Sequence, residues 1–389
     1  MSAVADDSVA LVVTSPPYPM IEMWDEQFRS LCATAGGAGP AGEEAAPLMP
    51  ADFERFHTVL DDVWAECRRA LIPGGIVCVN IGDAVRTVDG GFCLYANHAR
   101  VLTAFEKLGF VALPPIIWHK PSNSPTKFMG SGMLPGGAYV TLDHEYILIL
   151  RLGNKREFDG QQRELRRQSA YFWEERNTWF SDLWDLRGAR QALGSPMSGA
   201  DAQGPAAHTT GPTAPATEPA VQACGSTETR SRSGAFPFEL AYRLVNMYSL
   251  QADTVLDPFS GTGTTAAAAV TSARGFAGYE IDRGLASGFD RIRRLAGTVD
   301  DPSSKRLSAH LAFVERREAS GRPLAHTNRH YGFAVMTRQE KDLVLPHCTS
   351  LERIAAAPDP DAGNRGKGAG AEAVAYRAEY VAAELTTLL

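Results

Sequence analysis

Ser15-Pro16-Pro17-Tyr18 comes directly after the apolar run Val9-Ala10-Leu11-Val12-Val13, and no other stretch of the chain is better equipped for chemistry. The prolines fix φ and carry no N–H, so the loop leaves its carbonyls facing outward as acceptors beside the Ser15 hydroxyl. Tyr18 adds a flat π-face. A stiff loop of acceptors next to an aromatic ring suits a planar group bearing an NH2, such as a nucleobase, held by stacking and through its amino hydrogens. Each residue alone has a plainer reading: Ser15 as a turn cap, the prolines as a strand exit, Tyr18 as core.

Far downstream, Thr254-Val255-Leu256-Asp257-Pro258-Phe259-Ser260-Gly261-Thr262-Gly263-Thr264-Thr265 runs from a short apolar strand through a glycine turn into an alanine-rich helix. A second strand, Gly275-Phe276-Ala277-Gly278-Tyr279, then ends in Glu280. A strand, a glycine turn and an acid closing the next strand describe half of a nucleoside-binding site in a doubly wound sheet. The glycines admit a ligand close to the backbone, and Glu280 is placed to accept from ribose hydroxyls. Gly-x-Gly alone marks a turn as readily as a site. Asp257 and Glu280 at this spacing give it weight.

With these motifs the sequence resembles the S-adenosylmethionine-dependent DNA amino-methyltransferases of the N4-cytosine/N6-adenine group, in the permuted order that puts the catalytic loop first. Residues 73–83, with Pro73-Gly74-Gly75 ahead of Ile76-Val77-Cys78-Val79-Asn80-Ile81-Gly82-Asp83, resemble the family's next strand. Ile116-Ile117-Trp118-His119-Lys120-Pro121 and His144-Glu145-Tyr146-Ile147-Leu148 resemble the hairpin that follows, and Ser181-Asp182-Leu183-Trp184 and Phe236-Pro237-Phe238-Glu239-Leu240 complete the series. The likeness spans most of residues 8–296.

The resemblance implies an α/β, Rossmann-like class I methyltransferase fold, a mostly parallel twisted sheet with an antiparallel hairpin and helices on both faces. It implies Ser15, Pro16, Pro17 and Tyr18 as catalytic residues. Phe236, Glu239, Asp257, Pro258, Phe259, Gly261, Gly263, Thr264 and Glu280 would hold S-adenosylmethionine, with no metal. The partner would be double-stranded DNA with a flipped target base, and a cognate restriction endonuclease would accompany a restriction-modification enzyme. Ser-Pro-Pro-Tyr accompanies N4-cytosine modification in the family more often than N6-adenine, so cytosine N4 is favoured and adenine N6 is the alternative. The family's usual strand with a Gly-Asp step upstream of the catalytic strand is not matched here. A non-catalytic nucleic-acid-binding relative with an incomplete cofactor pocket, or an RNA methyltransferase, are the competing readings.

The elements that must position these residues follow from periodicity and punctuation. Phe53, Phe56, Val59, Leu60, Val63, Trp64 and Leu71 recur at helical spacing, predicting a helix over 52–71 that ends at Pro73-Gly74-Gly75, with a strand over 76–81. A helix over 95–108, strands near 110–118 and 139–151, and helices over 236–250, 265–272 and 283–295 follow in the same way. Residues 33–50, rich in Ala and Gly, read as a mobile loop. Residues 191–235 hold almost no large apolar side chains and read as a disordered linker. The organisation expected is therefore a catalytic half (1–190), this linker, a cofactor half (236–298) and a C-terminal extension (299–389) with a linker at 356–370 and a terminal helix near 371–389.

Bulk properties set outer bounds. The 389 residues are 44% hydrophobic and 21% charged, an ordinary globular composition long enough for one large catalytic domain with additions. No apolar run reaches a membrane span, and Cys32, Cys67, Cys78, Cys93, Cys224 and Cys348 form no C-x-x-C pair, so a cytoplasmic protein with reduced thiols and no membrane partner is expected. The net charge of −7 argues mildly against a nucleic-acid binder. Two basic stretches, Arg151 with Lys155, Arg156, Arg163, Arg166 and Arg167, and Arg283 with Arg291, Arg293, Arg294, Lys305 and Arg306, are the candidate phosphate contacts. Target recognition is expected within 121–190 or the tail. Asp143-His144-Glu145 does not read as a metal site, because adjacent residues on a strand point to opposite faces.

Overall fold

The structure is a computed structural model that describes residues 1, 3–34, 48–120, 129–130, 134–188, 236–282, 285, 301–354 and 375–383. The apolar run folds as strand Val9–Thr14 (β1), buried along its whole length as a strand covered on both faces must be. Helices Asp25–Thr34 (α1) and Asp52–Ala70 (α2) lead to strand Leu71–Ile81 (β2), a hairpin of Ala84–Val88 (β3) and Gly91–Tyr95 (β4), helix Asn97–Lys107 (α3) and strand Phe110–His119 (β5). A short ladder pairs Met129–Gly130 (β6) with Ala138–Tyr139 (β7), and His144–Leu152 (β8) returns antiparallel along β5. Helices Gly160–Gln168 (α4) and Trp173–Trp179 (α5) and strand Leu183–Asp185 (β9) close this half. Helix Phe238–Tyr248 (α6), strand Thr254–Asp257 (β10), helix Thr264–Thr271 (α7) and strand Gly275–Gly278 (β11) form the other half.

The strands join in one sheet of seven, ordered β11-β10-β1-β2-β8-β5-β9, in which β8 runs against its neighbours and the rest are parallel. Side chains alternate between two cores. Val12, Val77, Val79, Leu148 and Leu150 meet Phe28, Leu60, Trp64 and Phe105 from α1 to α3. Leu11, Val13, Cys78, Ile147 and Ile149 meet Leu240, Leu244, Ala268 and Ala269 from α6 and α7 on the other face. This is the expected class I methyltransferase architecture.

β1 and β10 lie side by side, with Leu11 opposite Val255 and Val12 opposite Leu256. From β1 the chain crosses through α2 to β2 on one side, and from β10 it crosses through α7 to β11 on the other. Neighbouring strands whose crossovers depart in opposite directions leave a crevice beyond their carboxyl ends. Ser15 and Pro258 both emerge there.

The C-terminal segment holds helix Pro302–Ala319 (α8), short strands His326–Thr327 (β12) and Ala334–Val335 (β13), and a hairpin of Pro346–Ile354 (β14) with Ala375–Ala382 (β15). Strand β15 replaces the terminal helix expected there. Alanine content favours a helix locally, and pairing with β14 overrides that weak preference. Strand β2 also starts earlier than expected, taking Pro73-Gly74-Gly75 into an irregular opening where Gly74 has φ +77°. Among the described residues β11 is the edge of the sheet, and β14 packs on α7 through Leu351, Ala266 and Ala267 instead of extending it. No helix among the described residues is long and apolar enough to cross a membrane. The linkers 191–235 and 356–370 lie outside the described residues, as do most of the loop 33–50 and of the helix 283–295.

Candidate active site

Thr14, the last residue of β1, donates its hydroxyl to Asp257 Oδ1 at 2.6 Å, joining two segments 243 residues apart. Thr265 Oγ1 donates to Asp257 Oδ2 at 2.7 Å, and the Phe259 N–H donates to Oδ1 at 3.0 Å. Asp257 is only 2% exposed. Burial pushes its carboxyl up to about 6 even though these donors pull it down. Its oxygens are thus engaged by the protein itself, and Asp257 holds the glycine loop against the catalytic strand.

The loop needs its glycines. Gly261 and Gly263 sit at φ +51° and +84°, in the left-handed region that side chains disfavour. Strand β11 closes on the loop because position 278 has no side chain, since a Cβ there would lie 2.2 Å from Ser260 Oγ. Glu280 accepts the Gly261 N–H at 2.7 Å on Oε2 and the Asp282 N–H at 2.8 Å on Oε1. A carboxylate offers about four acceptor positions, so capacity for two hydroxyls remains. These residues fit a ribose-bearing ligand lying over the loop.

On the other side of the crevice is a polar cluster that the motifs did not reveal. Tyr18 OH donates to Glu145 Oε2 at 2.9 Å and lies 3.0 Å from Ser15 Oγ. Asn80 Nδ2 donates to Tyr18 OH at 2.8 Å and to Glu145 Oε2 at 2.7 Å. Lys120 Nζ pairs with Glu145 Oε1 and sits 4.3 Å above the Trp118 ring. Burial, then the charge of Glu145, push the Tyr18 phenol well above its ordinary value, so it stays protonated. Gly82 lets the ring pack closely, because a Cβ there would sit 3.0 Å from the Tyr18 ring. Asn80 is buried, and its Oδ1 has no partner among the described residues.

The loop after Tyr18 is fixed by a second buried chain. Asn97 Nδ2 donates to the carbonyls of Pro19 and Gly82, both at 3.0 Å, and Asn97 Oδ1 accepts from His57 Nε2 at 3.0 Å. Burial lowers His57 to about 4, which keeps the ring neutral. Pro16 and Pro17 are buried, and no donor reaches the Pro16 carbonyl among the described residues.

A profile of the DNA methylase family matches residues 9–289. The chain belongs to that family. It is 42% identical over 362 residues to the type II methyltransferase M.MthZI of Methanothermobacter thermautotrophicus, covering 91% of this chain and 89% of that one. It is 44% identical over 291 residues to the type II methyltransferase M.MjaI of Methanocaldococcus jannaschii, covering 73% of this chain and 85% of that one. Among solved structures, a Thermus thermophilus protein described as a putative DNA modification methylase, in complex with S-adenosyl-L-methionine, is 30% identical. The match has a TM-score of 0.50 and covers 75% of this chain and 90% of the other.

The remaining expected site residues of this methylase fall around the same crevice or behind it. Pro258 is buried, Thr264 opens α7, and Phe259 meets the Trp64 ring edge-on at 5.9 Å. Phe236 is buried in the core beneath β1 with Leu240 and Trp118. Glu239 is half exposed and pairs along its helix with Arg243 at 2.7 Å, away from the Asp257 cluster's hydrogen bonds.

Of the two basic stretches, Arg283, Arg291, Arg293 and Arg294 lie outside the described residues. Arg151 closes on Ile76 in the middle of β2 near the far end of β8 from Glu145, and Lys155 lies with Asp6, Asp7 and Pro73 on the side of the sheet where β1 begins, away from Ser15. Arg156 is spent on Asp253 at 2.6 Å, and Arg306 is buried on Glu175 at 2.6 Å. Thr14, Asn80, Lys120, Glu145, Asn97 and His57 are the site residues that sequence reasoning missed. Asn80 alone carried a signal: an amide inside the apolar run of β2 must find buried partners.

Proposed function

We propose that this chain is a site-specific DNA methyltransferase of a restriction-modification system, transferring the methyl group of S-adenosylmethionine to N4 of cytosine in duplex DNA. The target base is turned out of the helix into the crevice beside Tyr18. The observation that carries this reading is the 2.6 Å bond from Thr14 to Asp257, which sets the Ser15 acceptor loop directly against the glycine loop. Family membership and the relatives' names support it.

Exocyclic amines are poor nucleophiles because the nitrogen lone pair is delocalised into the ring. Ser15 Oγ and the Pro16 carbonyl accept the two amino hydrogens and favour a more tetrahedral nitrogen, while Tyr18 aligns the ring. The cofactor supplies an electrophilic methyl on a sulfonium, a reaction that requires no metal. Phe259, Gly261, Gly263 and Thr264, with Pro258, would hold it, Glu280 would take its ribose hydroxyls, and Phe236 and Glu239 are the further candidate contacts. Holding both reactants in one crevice supplies much of the rate, because an intermolecular encounter becomes an intramolecular one. Serine at position 15 favours cytosine over adenine N6, and both bases offer an amino group beside a ring nitrogen. A paired endonuclease is the partner such an enzyme would have.

The test is incubation of the purified chain with methyl-labelled S-adenosylmethionine and unmethylated DNA. Label in the DNA from the wild type, and none from Ser15→Ala, is the expected outcome. A gel shift with DNA but no label from the wild type would replace this reading with a non-catalytic binding role.

A further inference from the structure

The hydrogen bonds around Tyr18 have one consistent direction. Glu145 pairs with Lys120 as a carboxylate and can only accept, so the Tyr18 hydrogen points at Glu145 Oε2, 2.9 Å away. Asn80 Nδ2 donates to the same phenol oxygen at 2.8 Å. Having committed its hydrogen, the Tyr18 oxygen can only accept from Ser15 at 3.0 Å. The single Ser15 hydrogen is therefore turned inward. Asn80 Nδ2 also reaches Ser15 Oγ, at 3.5 Å, and the acceptor capacity that remains on Ser15 is what a target amine can use.

We infer that Glu145 is the terminus of a directed chain, Ser15 to Tyr18 to Glu145, which makes Ser15 an obligate acceptor for the target amine and takes up the proton that amine loses. This rests on the methyltransferase reading above and adds a proton path and a positioning residue to it. When the amine nitrogen forms its bond to the methyl carbon, the carbon–sulfur bond breaks and its electron pair stays on sulfur. The nitrogen now carries a positive charge and sheds one hydrogen to Ser15 Oγ. The Ser15 hydrogen passes to Tyr18, and the Tyr18 hydrogen passes to Glu145, which ends as the neutral acid and returns the proton to water. Neither hydroxyl ionises at any point, in keeping with a phenol that burial holds protonated. The same direction selects the base. A ring bearing an amino group finds an acceptor at Ser15, whereas a ring bearing a carbonyl at that position meets lone pairs and leaves both groups unpaired.

Glu145 acts through Tyr18 and Ser15, so the test must separate chemistry from folding and binding. Glu145→Gln and Tyr18→Phe conserve size, and Tyr18→Phe leaves the Glu145–Lys120 pair in place. Single-turnover transfer from S-adenosylmethionine to unmethylated genomic DNA should fall about 100-fold in each, in the range for a lost proton-transfer partner. Cofactor and DNA dissociation constants should stay at wild-type values, and the solvent deuterium isotope effect of the wild type should disappear. Wild-type rate and isotope effect in both variants would overturn the chain, as would a loss confined to binding. A wild type that transfers no methyl overturns the methyltransferase reading itself, and the chain with it. That outcome is distinguishable because in the others the wild type is active.

Discussion

At the carboxyl ends of β2 and β5, Glu145 gathers Lys120, Asn80 and Tyr18; at the seam between α5 and α8, Glu175 grips Arg306 through two bonds of 2.6 and 2.8 Å. Both clusters pair a buried carboxylate with a cation, yet they differ in closure. The Arg306 and Glu175 side chains are 8% and 12% exposed, while Lys120 keeps 30% exposure and Asn80 keeps an oxygen with no partner among the described residues. The Arg306 pair is a clamp. It fastens the C-terminal segment to the body, helped by Gln251 on the Val344 carbonyl and by the Phe172 ring stacked on His310. The Glu145 cluster is less closed, with Lys120 and Ser15 only half-buried. Buried charge that is fully answered by its neighbours holds a structure together, and buried charge with capacity left over is available to a ligand.

The contrast can be broken by substitution. Removing one member of the clamp leaves an uncompensated buried charge, so Arg306→Ala should cost about 3–5 kcal/mol in denaturant unfolding. Cofactor affinity of the folded fraction should not change. A loss below about 1 kcal/mol would show that the clamp is not what binds the segment. Ser15→Ala removes only the outward acceptor. Transfer should drop about 10²–10³-fold, equivalent to about 3–4 kcal/mol of barrier, with unfolding free energy shifted by no more than about 0.5 kcal/mol. An equally large loss of stability would move Ser15 to the structural side of the comparison.

Asp257 sharpens the comparison through pH. Its folded-state pKa of about 6 stands above the ordinary 3.8, so the folded protein holds that proton more tightly than the unfolded chain. The resulting contribution to stability is fully present below the ordinary carboxylate range and is lost as pH rises through about 6. Relative to Asp257→Asn, wild-type stability should therefore fall by about 2 kcal/mol between about pH 4 and about pH 6.5, read as the difference between two unfolding series. Parallel curves for the two proteins would contradict the assigned shift. The smallest effect belongs to Glu239→Ala, which removes the half-exposed member of an ion pair along one helix turn and should change stability by no more than about 0.5 kcal/mol. A weaker cofactor dissociation constant in that variant would then report contact with the ligand, and an unchanged one would remove Glu239 from the site.

Much of this architecture was legible in residues 9–83 and 254–280, because buried strands, glycine turns and amphipathic helices leave local signatures. The β3–β4 hairpin was legible and overlooked, since Asp89-Gly90 at φ +49° and +75° is a turn pairing with a strong hairpin preference. The terminal strand β15 was not, because its conformation depends on β14 alongside it. The hidden part of the site has the same cause. Thr14 with Asp257 and Tyr18 with Glu145 are separated by 243 and 127 residues, and no periodicity within either segment reveals which strands become neighbours. Arg156 and Arg306 were illegible for the complementary reason: composition records their charge but not the carboxylates at Asp253 and Glu175 that pair with it.

Expression in a host whose DNA carries no methylation, followed by digestion and mass spectrometry of the nucleosides, would show whether the two loops act as one catalytic site. N4-methylcytosine is expected in DNA from cells making the wild-type chain, and none from cells making Ser15→Ala. N6-methyladenine in its place would keep the transfer reaction and reverse the choice of base. Unmodified DNA from cells that contain the folded wild-type chain would contradict the joining of the Ser15 loop and the glycine loop into a single site.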